Sequence, residues 1–460
     1  MQMNQMLNTA VPADELAAVL KGDVVAPADE GWDFARRAWN LAVDQRPALV
    51  AFPTDSADVV AIVGWARANG LKVAPQATGH NAAAIASLEN TVLLSTQRMR
   101  GVEIDVEAQT ARVQAGTLWL EVTDASSPHG LFPLSGSSPD VGVVGYTLGG
   151  GLSWLARKHG LAANSVTAIE LVTADGELLR ATADEHADRF WALRGGGGNF
   201  GVVTAMEFRL FEYGEVYAGM FLFPFERAGE VLRAWNRWTR TASEDITTSM
   251  RLIHFPPLPE LPDFLRGSSV AAIDGAFAGD ADAGAEAIAA LRELGPELDT
   301  WGMVPAAALS HLHMDPEEPV PYIGAAAMLG TLDDAALDAM TEHTQPGAPL
   351  MFTELRHLGG ALARVPEGAG ATGSLEGEYL FFSVGMLMAP ELAAPIAAAG
   401  AQALAALASY ETRSSFLNFV EHPTDASKLY TREAYQRLCA VRAAVDREHL
   451  MVSNHPIPAA

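Results

Sequence analysis

The sequence predicts an α+β protein built in two parts, and three observations predict it. Residues 46–76 read as strand, helix, strand and open a small α/β unit. The glycine run "RGGGGNFGVV" at 194–203 follows a helical pattern and precedes a strand-like one. A Rossmann unit needs the opposite order, because its pyrophosphate must meet the N-terminus of the following helix, so that fold is rejected. After residue 213 the texture changes to Ala-rich helical runs alternating with strand-like runs. The expected division is an N-terminal helical segment at 1–39, a glycine-rich domain at 40–212, a second α+β domain at 213–429, and a segment at 430–460 that returns to the first domain.

Each element has a local reason. The apolar run before Pro53 is a strand; Asp55 and Ser56 start a helix with periodic Val59, Val60, Ile62, Val63 and Ala66, and Gly70 stops it before the strand "KVAPQ". "NTVLLSTQRM", "GVEID" and "TARVQAG" are short strands broken by glycine or polar turns, and an amphipathic helix follows near 117–130. "NSVTAIELVTADGELLRAT" predicts two strands turning at Asp175–Gly176. "EHADRFWALRGG" predicts a helix, "FGVVTAMEFRLF" a strand, and in the second part "AGAEAIAALREL" and "DDAALDAMTEH" predict helices around strands such as "EYLFFSVGML". The tail is a helix ending near Asp446 and then an extended, Pro-containing stretch.

Composition sets outer bounds. At 460 residues the chain exceeds one ordinary core, and 49 % hydrophobic residues suffice to fill two. With 30 Lys and Arg against 56 Asp and Glu, the formal charge is −26, a field that repels nucleic acid and anionic membrane. The single cysteine, Cys439, excludes an internal disulfide and any multi-cysteine metal site. The N-terminus lacks the pattern of a secretory signal, and no apolar run reads as a membrane span. A cytoplasmic protein is the expectation.

Three glycine clusters stand out: "QATGHN" at 76–81, "SSPDVGVVGYTLGGGLSW" at 137–154 and the run at 194–203. Glycine lets backbone N–H groups approach phosphate oxygens, and while tight turns would account for one such cluster, three in one domain favour a bulky phosphorylated cofactor. A GxxxxGK[ST] phosphate loop is absent, since no lysine follows the glycines.

With these motifs in order, most of the chain resembles the FAD-linked oxidases of the vanillyl-alcohol oxidase and berberine-bridge-enzyme group. The resemblance runs through the entry unit, the loop ending in His80, "VGVVGYTLGGGLSWLARKHGLAANSV", "DRFWALRGGGGNFGVVT", "LRHLGGALARV", "FLNF" and the tail from "AYQRLCAVRAAVDREHLMVSNHPI". It implies a PCMH-type FAD-binding domain of two subdomains at 40–212 and a substrate domain with an antiparallel sheet. It implies that His80 bonds the 8α carbon of the flavin, a reaction that uses a neutral imidazole, to which histidine as a residue type is suited by an unperturbed pKa of about 6.5. Gln76, Ala77, Thr78, Gly79, His80 and Asn81 would hold the cofactor from the first loop. Ser138, Val141, Gly142, Gly145, Tyr146, Gly149 and Gly150 would hold it from the second. Gly198, Asn199, Gly201, Val202 and Val203 complete the third, and Asn454 reaches in from the tail.

The departures from the family pattern carry information. Some relatives add a cysteinyl bond at the position of Ser138, which serine cannot make, so attachment would be through His80 only. Gln76 and Thr78 stand where many relatives have Arg and Gly. Val141 resembles the small branched residue that admits oxygen in oxidases of the group, and Tyr146 replaces a histidine at the flavin N1 edge. "FLNF" resembles Tyr-x-Asn with the tyrosine replaced by Phe416, which has no proton to exchange, while Asn418 is retained. A carbohydrate oxidase that depends on that tyrosine is disfavoured.

The expected activity is therefore oxidation of a small aromatic, N-heterocyclic or hydroxylated metabolite, with O2 reoxidising the flavin to give H2O2. A dehydrogenase, a sugar or alcohol oxidase, and a ligand-binding flavoprotein without turnover are the alternatives. Tyr146, Asn418, Tyr379 and Glu376 are the candidate catalytic residues, with His254, Glu354 and Arg356 as further candidates for base or substrate contact. Phe255, Phe352, Phe381, Phe382 and Phe416 suggest an apolar aromatic pocket. His311 and His313 at i, i+2 lack a third ligand in sequence, and no metal is expected.

Overall fold

Three layers of β-structure position everything that follows. The protein is described from a computed structural model, which covers residues 12–85, 87–257, 259 and 262–459; the first eleven residues of the expected N-terminal segment lie outside the described residues. In the first sheet the strands Leu49–Phe52, Thr91–Ser95 and Lys72–Gln76 run parallel, in that spatial order. The first two are buried along their whole length, as parallel strands covered on both faces must be. The helix Ser56–Ala68 covers them with Val59, Ile62, Val63 and Ala66, and starts where the Asp55 carboxylate accepts from the N–H groups of Ala57 and Asp58. The N-terminal segment is not helical throughout: besides the helix Ala13–Ala17 it supplies the strand Asp23–Val25, paired antiparallel at the edge of this sheet.

The second sheet is antiparallel, in the order Val102–Asp105, Thr110–Gln114, Val202–Arg209, Val166–Val172, Leu178–Ala181. The hairpin expected at Asp175–Gly176 joins its last two strands, with Gly176 in the left-handed region at φ 81°. The helix Ala187–Leu193 leads into the third glycine run and the strand Val202–Arg209 leaves it. This order is the one that excludes a Rossmann unit.

The second part is an eight-stranded antiparallel sheet whose main path runs Leu298–Asp299, Glu215–Pro224, Ser269–Phe277, Ile246–His254, Phe352–His357, Tyr379–Met386, Tyr322–Leu329. The helices Ala228–Thr239, Asp334–His343 and Ala393–Leu407 pack on one face through Trp235, Leu337, Ala403 and Leu407. The apolar stretch Pro390–Tyr410 is helical and, by length and composition alone, long enough to cross a membrane, contrary to the expectation from sequence. Here it lies on the sheet, burying Ile396, Gly400, Ala403 and Leu407.

Two devices fasten the parts together. The buried Arg157 guanidinium, from the first part, donates to the carbonyls of Leu358 (2.8 Å) and Ser243 (2.7 Å) in the second, while burial lowers its pKa to about 10. The helix Arg432–Val445, which buries Cys439, brings the tail back to the first sheet. There Val73 N donates to Leu450 O and Val452 N to Val73 O, at 2.9 and 2.8 Å. The Asn199 amide locks the end, donating to His455 O and accepting from Ser453 Oγ and Ile457 N.

Candidate functional site

A cavity of about 370 Å³ lies between the glycine loops and the uncovered face of the large sheet. On the loop side it is lined by Gln76, Ala77, Thr78, Gly79, His80 and Asn81, by Ser138, Val141, Gly142, Gly145, Tyr146 and Gly149, and by Gly198, Gly201, Val203 and Asn454. Two of the glycines in these loops stand where a side chain would not fit. At Gly79, φ is 84° and a Cβ would stand 2.9 Å from Ala38 Cα; at Gly201, φ is 144° and a Cβ would stand 2.6 Å from Leu171 Cδ1.

Three of the residues expected to line this wall do not. Val202 and Val203 point to opposite faces of their strand, so only Val203 meets the cavity while Val202 packs in the core of the parallel sheet. Gly150, at φ 120°, turns beneath the Phe416 ring. Asn199 is buried, with its amide committed to the tail.

His80 sits at one end of the cavity. Thr78 Oγ1 is 2.7 Å from its Nδ1, and its ring stacks on Trp39 with centroids 4.4 Å apart. Its Nε2 is shut from solvent without a hydrogen-bond partner, and Asp140 Oδ2 stands 3.6 Å away. Trp39 Nε1 donates to that same carboxylate oxygen. Neither Trp39 nor Asp140 was visible as functional in the sequence, because the contact joins residues about a hundred positions apart.

Tyr146 and Asn418 both line the cavity, yet their polar atoms are occupied. Tyr146 Oη donates to Leu134 O at 3.1 Å, and burial pushes its pKa up, so the phenol keeps its proton. Asn418 Nδ2 donates to Tyr146 O and its Oδ1 accepts from Gly151 N, stapling the second glycine loop. Tyr379 and Glu376, expected as catalytic candidates, do not line the cavity. Alternation along Tyr379–Met386 turns Phe382, Val384 and Met386 to the cavity and Tyr379 and Phe381 to the helix layer. There Tyr379 Oη donates to Asn236 Oδ1 at 2.8 Å, while Glu376 is exposed on the loop before the strand. His254 faces Ser269 Oγ and Thr344 O, away from the cavity. Phe255 and Phe416 also pack elsewhere, so Phe352 and Phe382 are the two expected rings that line it.

The same alternation on Phe352–His357 aims Phe352, Glu354 and Arg356 into the cavity and buries Leu355 on the other face. Arg356 Nε donates to Glu354 Oε1 at 2.8 Å. His313 stands between carboxylates, Nδ1 2.9 Å from Asp274 Oδ2 and Nε2 3.3 Å from Glu354 Oε1. Burial and Arg251 oppose protonation of His313, but Asp274, Glu354 and Asp315 outweigh them and raise its pKa. Burial opposes ionisation of Glu354 too, but Arg356 and His313 hold its pKa far below the usual range. Asp315 accepts from Ser137 Oγ and Ser138 Oγ. His311, in contrast, is exposed beside Glu317, so the pair of histidines diverges. Tyr322, Phe419 and Glu421 complete this wall.

Residues 47–182 match the family described as FAD binding domain. The chain is 35 % identical over 193 residues, 42 % of each chain, to (R)-6-hydroxynicotine oxidase of Paenarthrobacter nicotinovorans. It spans about half the length of the curated relatives it matches. In structure it is similar to Physcomitrella patens BBE-like 1, with a TM-score of 0.85 at 18 % identity over 97 % of this chain and 99 % of that one. It is also similar to a glucooligosaccharide oxidase from Acremonium strictum described with 6-S-cysteinyl, 8α-N1-histidyl FAD, at TM-score 0.82 and 20 % identity over 97 % and 99 % of the two chains. The residues fit an FAD. The first two loops meet so closely that a Cβ at Gly142 would stand 3.0 Å from Ala77 Cβ, and the wall carries the His80 imidazole with Nε2 turned to Asp140 and Nδ1 beside Thr78 Oγ1.

Proposed function

We propose that this chain, which carries an FAD-binding domain and folds throughout as the berberine-bridge-like flavoproteins do, is an FAD-dependent oxidase of a small aromatic molecule whose reacting carbon is bonded to nitrogen. The bound flavin would supply the hydride acceptor. Covalent attachment at His80 and reoxidation by O2 belong to the same proposal. Val141 on the cavity wall supports the second.

The observation that carries the substrate class is the lining opposite the glycine loops. Rings of Phe352, Phe382, Phe419 and Tyr322 surround three carboxyl groups, Asp315, Glu354 and Glu421, the Arg356 guanidinium and the His313 imidazole. Aromatic walls with a few convergent polar groups suit a flat apolar ligand, and Asp315 and Glu354 are matched by Arg356 and His313, so the Glu421 carboxyl, which has only Tyr322 as a partner, favours a basic nitrogen over an anionic substrate. Phe416 lies in the core beneath Gly150. The proton exchange that a tyrosine would provide there is absent, which disfavours the sugar and alcohol reading.

The test begins with the purified holoprotein, denatured in acid beside a His80→Ala variant. Chromophore that stays with the wild-type polypeptide and leaves the variant is the expected result. Anaerobic mixing with 6-hydroxynicotine, benzylamine and benzyl alcohol then asks which of them bleaches the flavin. Peroxide formed in step with the amine consumed supports an oxidase, reduction without peroxide in air reverses that part to a dehydrogenase, and a colourless protein overturns the proposal.

A further inference from the structure

Three residues beyond Asn418 and just past the short helical turn Leu417–Phe419, Glu421 reaches the cavity. Its Oε1 accepts a hydrogen bond from Tyr322 Oη at 2.6 Å. Its Oε2 is shut from solvent and has no hydrogen-bond partner. Room for this carboxyl exists because residue 324, on the same strand as Tyr322, is glycine; a Cβ there would overlap Glu421 Oε2. Glu421 lines the wall that faces the glycine loops and is held there by a single hydrogen bond, so its carboxyl is placed to take a proton from a bound molecule.

We propose that Glu421, oriented by Tyr322, is the proton acceptor in substrate oxidation; the inference rests on the flavin-dependent reading above. In the step, the C–H bond next to the substrate nitrogen breaks and its hydrogen leaves with two electrons to the bound FAD. The N–H bond of the protonated amine breaks as well, its proton going to the Glu421 carboxylate, and the electron pair left on nitrogen forms the C=N bond of an iminium ion. Glu421 must enter this step ionised, and it leaves it as the neutral acid.

The other groups on the wall are less suited. Glu354 also has an unpartnered oxygen, but Arg356 and His313 stabilise its anion so strongly that it is a weak base. Asp315 accepts from Ser137 and Ser138 and is likewise held ionised, burial opposing and His313 and Ser138 prevailing. Tyr146 keeps its proton and Phe416 has none to exchange. Burial raises Glu421 to about 7, so near neutral pH both its forms are populated. The titratable and charged groups around it are Tyr322 from the strand Tyr322–Leu329, His80, whose carbonyl lies 3.5 Å from Tyr322 Oη, Asp315 before that strand, Arg356 over the Phe419 ring, and His422 beside it in the chain.

The test uses the holoenzyme and its Glu421→Gln and Tyr322→Phe variants. Infrared difference spectra between pH 5 and 9 should show a protonated-carboxyl band titrating near 7 in the wild type, absent from E421Q, and titrating at higher pH in Y322F, because the phenol's hydrogen bond favours the anion. Anaerobic flavin reduction by 6-hydroxynicotine or benzylamine should rise with pH through the same midpoint. It should fall on the order of 100-fold or more and lose that pH dependence in E421Q. A wild type and E421Q that are reduced equally fast across the range overturn the role of Glu421 alone, as does the absence of a Glu421-dependent band. A yellow protein that neither amine reduces overturns the proposed function and this role with it.

Discussion

At the scale of single residues, the histidine proposed to hold the flavin depends on a neighbour that its own loop does not contain. Thr78 Oγ1 engages His80 Nδ1, while Asp140 stands 3.6 Å from Nε2 and is tied to Trp39, whose ring stacks on the imidazole. A carboxylate in that place favours a ring that holds its proton on the nitrogen facing it and is nucleophilic at the other. Asp140→Asn removes the charge while keeping the shape. We expect it to slow covalent flavin attachment on the order of 100-fold while flavin still binds. The check is the fraction of chromophore that stays with acid-precipitated protein over time after FAD is added to apoprotein, and equal time courses for variant and wild type would refute it. His80 was legible because a glycine and small residues lead into it within one loop. Asp140, Trp39, Tyr322 and Glu421 were not, since their significance lies in contacts between segments distant in sequence.

At the scale of elements, strand parity decides what reaches the cavity. Phe352, Glu354 and Arg356 share one face of their strand, as do Phe382, Val384 and Met386 of theirs, and the alternate positions meet the helices. The strands themselves were legible from their apolar runs, but "EGEYLFFSVGML" is apolar on both faces and carries no mark of which parity turns inward. That ambiguity put Tyr379 in the site, whereas its ring packs near Trp235 and its hydroxyl meets Asn236 and Thr239, all in the buried helix layer. Tyr379→Phe therefore leaves a buried amide oxygen without its donor, a loss of about 1–3 kcal/mol in stability. Denaturant unfolding should register that loss while flavin content and reduction rate stay at wild-type values, and a drop in reduction rate at unchanged stability would return Tyr379 to the site. Glycine order shows the opposite case: helix, glycine run, strand at 187–209 is local information, and it excluded the Rossmann arrangement from sequence alone.

At the scale of the whole molecule, burying ionisable groups around one cavity ties stability to pH from two directions. Burial raises Glu421 to about 7, so its contribution is full below the ordinary carboxyl range and is lost as the pH rises through 7. The fold thus carries an opposing charge at the pH where that group would act. His455 works in the other direction. It is fully enclosed where the tail closes on the first part, its Nε2 is 3.2 Å from Val420 O, and burial lowers its pKa to about 4. The folded state therefore holds it neutral, and the unfolded chain takes up a proton below its ordinary value of about 6.5. Its contribution, on the order of 3 kcal/mol, is complete above that value and is lost as the pH falls towards 4. His159 is lowered to about 4 by burial and acts in the same window, and burial with Arg157 nearby lowers His357 as well. Unfolding free energies measured from pH 7 to 4.5 should decline in the wild type more steeply than in His455→Asn, by about 1.4 kcal/mol per pH unit where one proton is involved. The slope carries the information, because the substitution also lowers stability at every pH by disturbing the closure. Parallel curves would mean that His455 takes up its proton without opening the tail, and that the closure of the C-terminal segment over the glycine loops is not the element that acid releases.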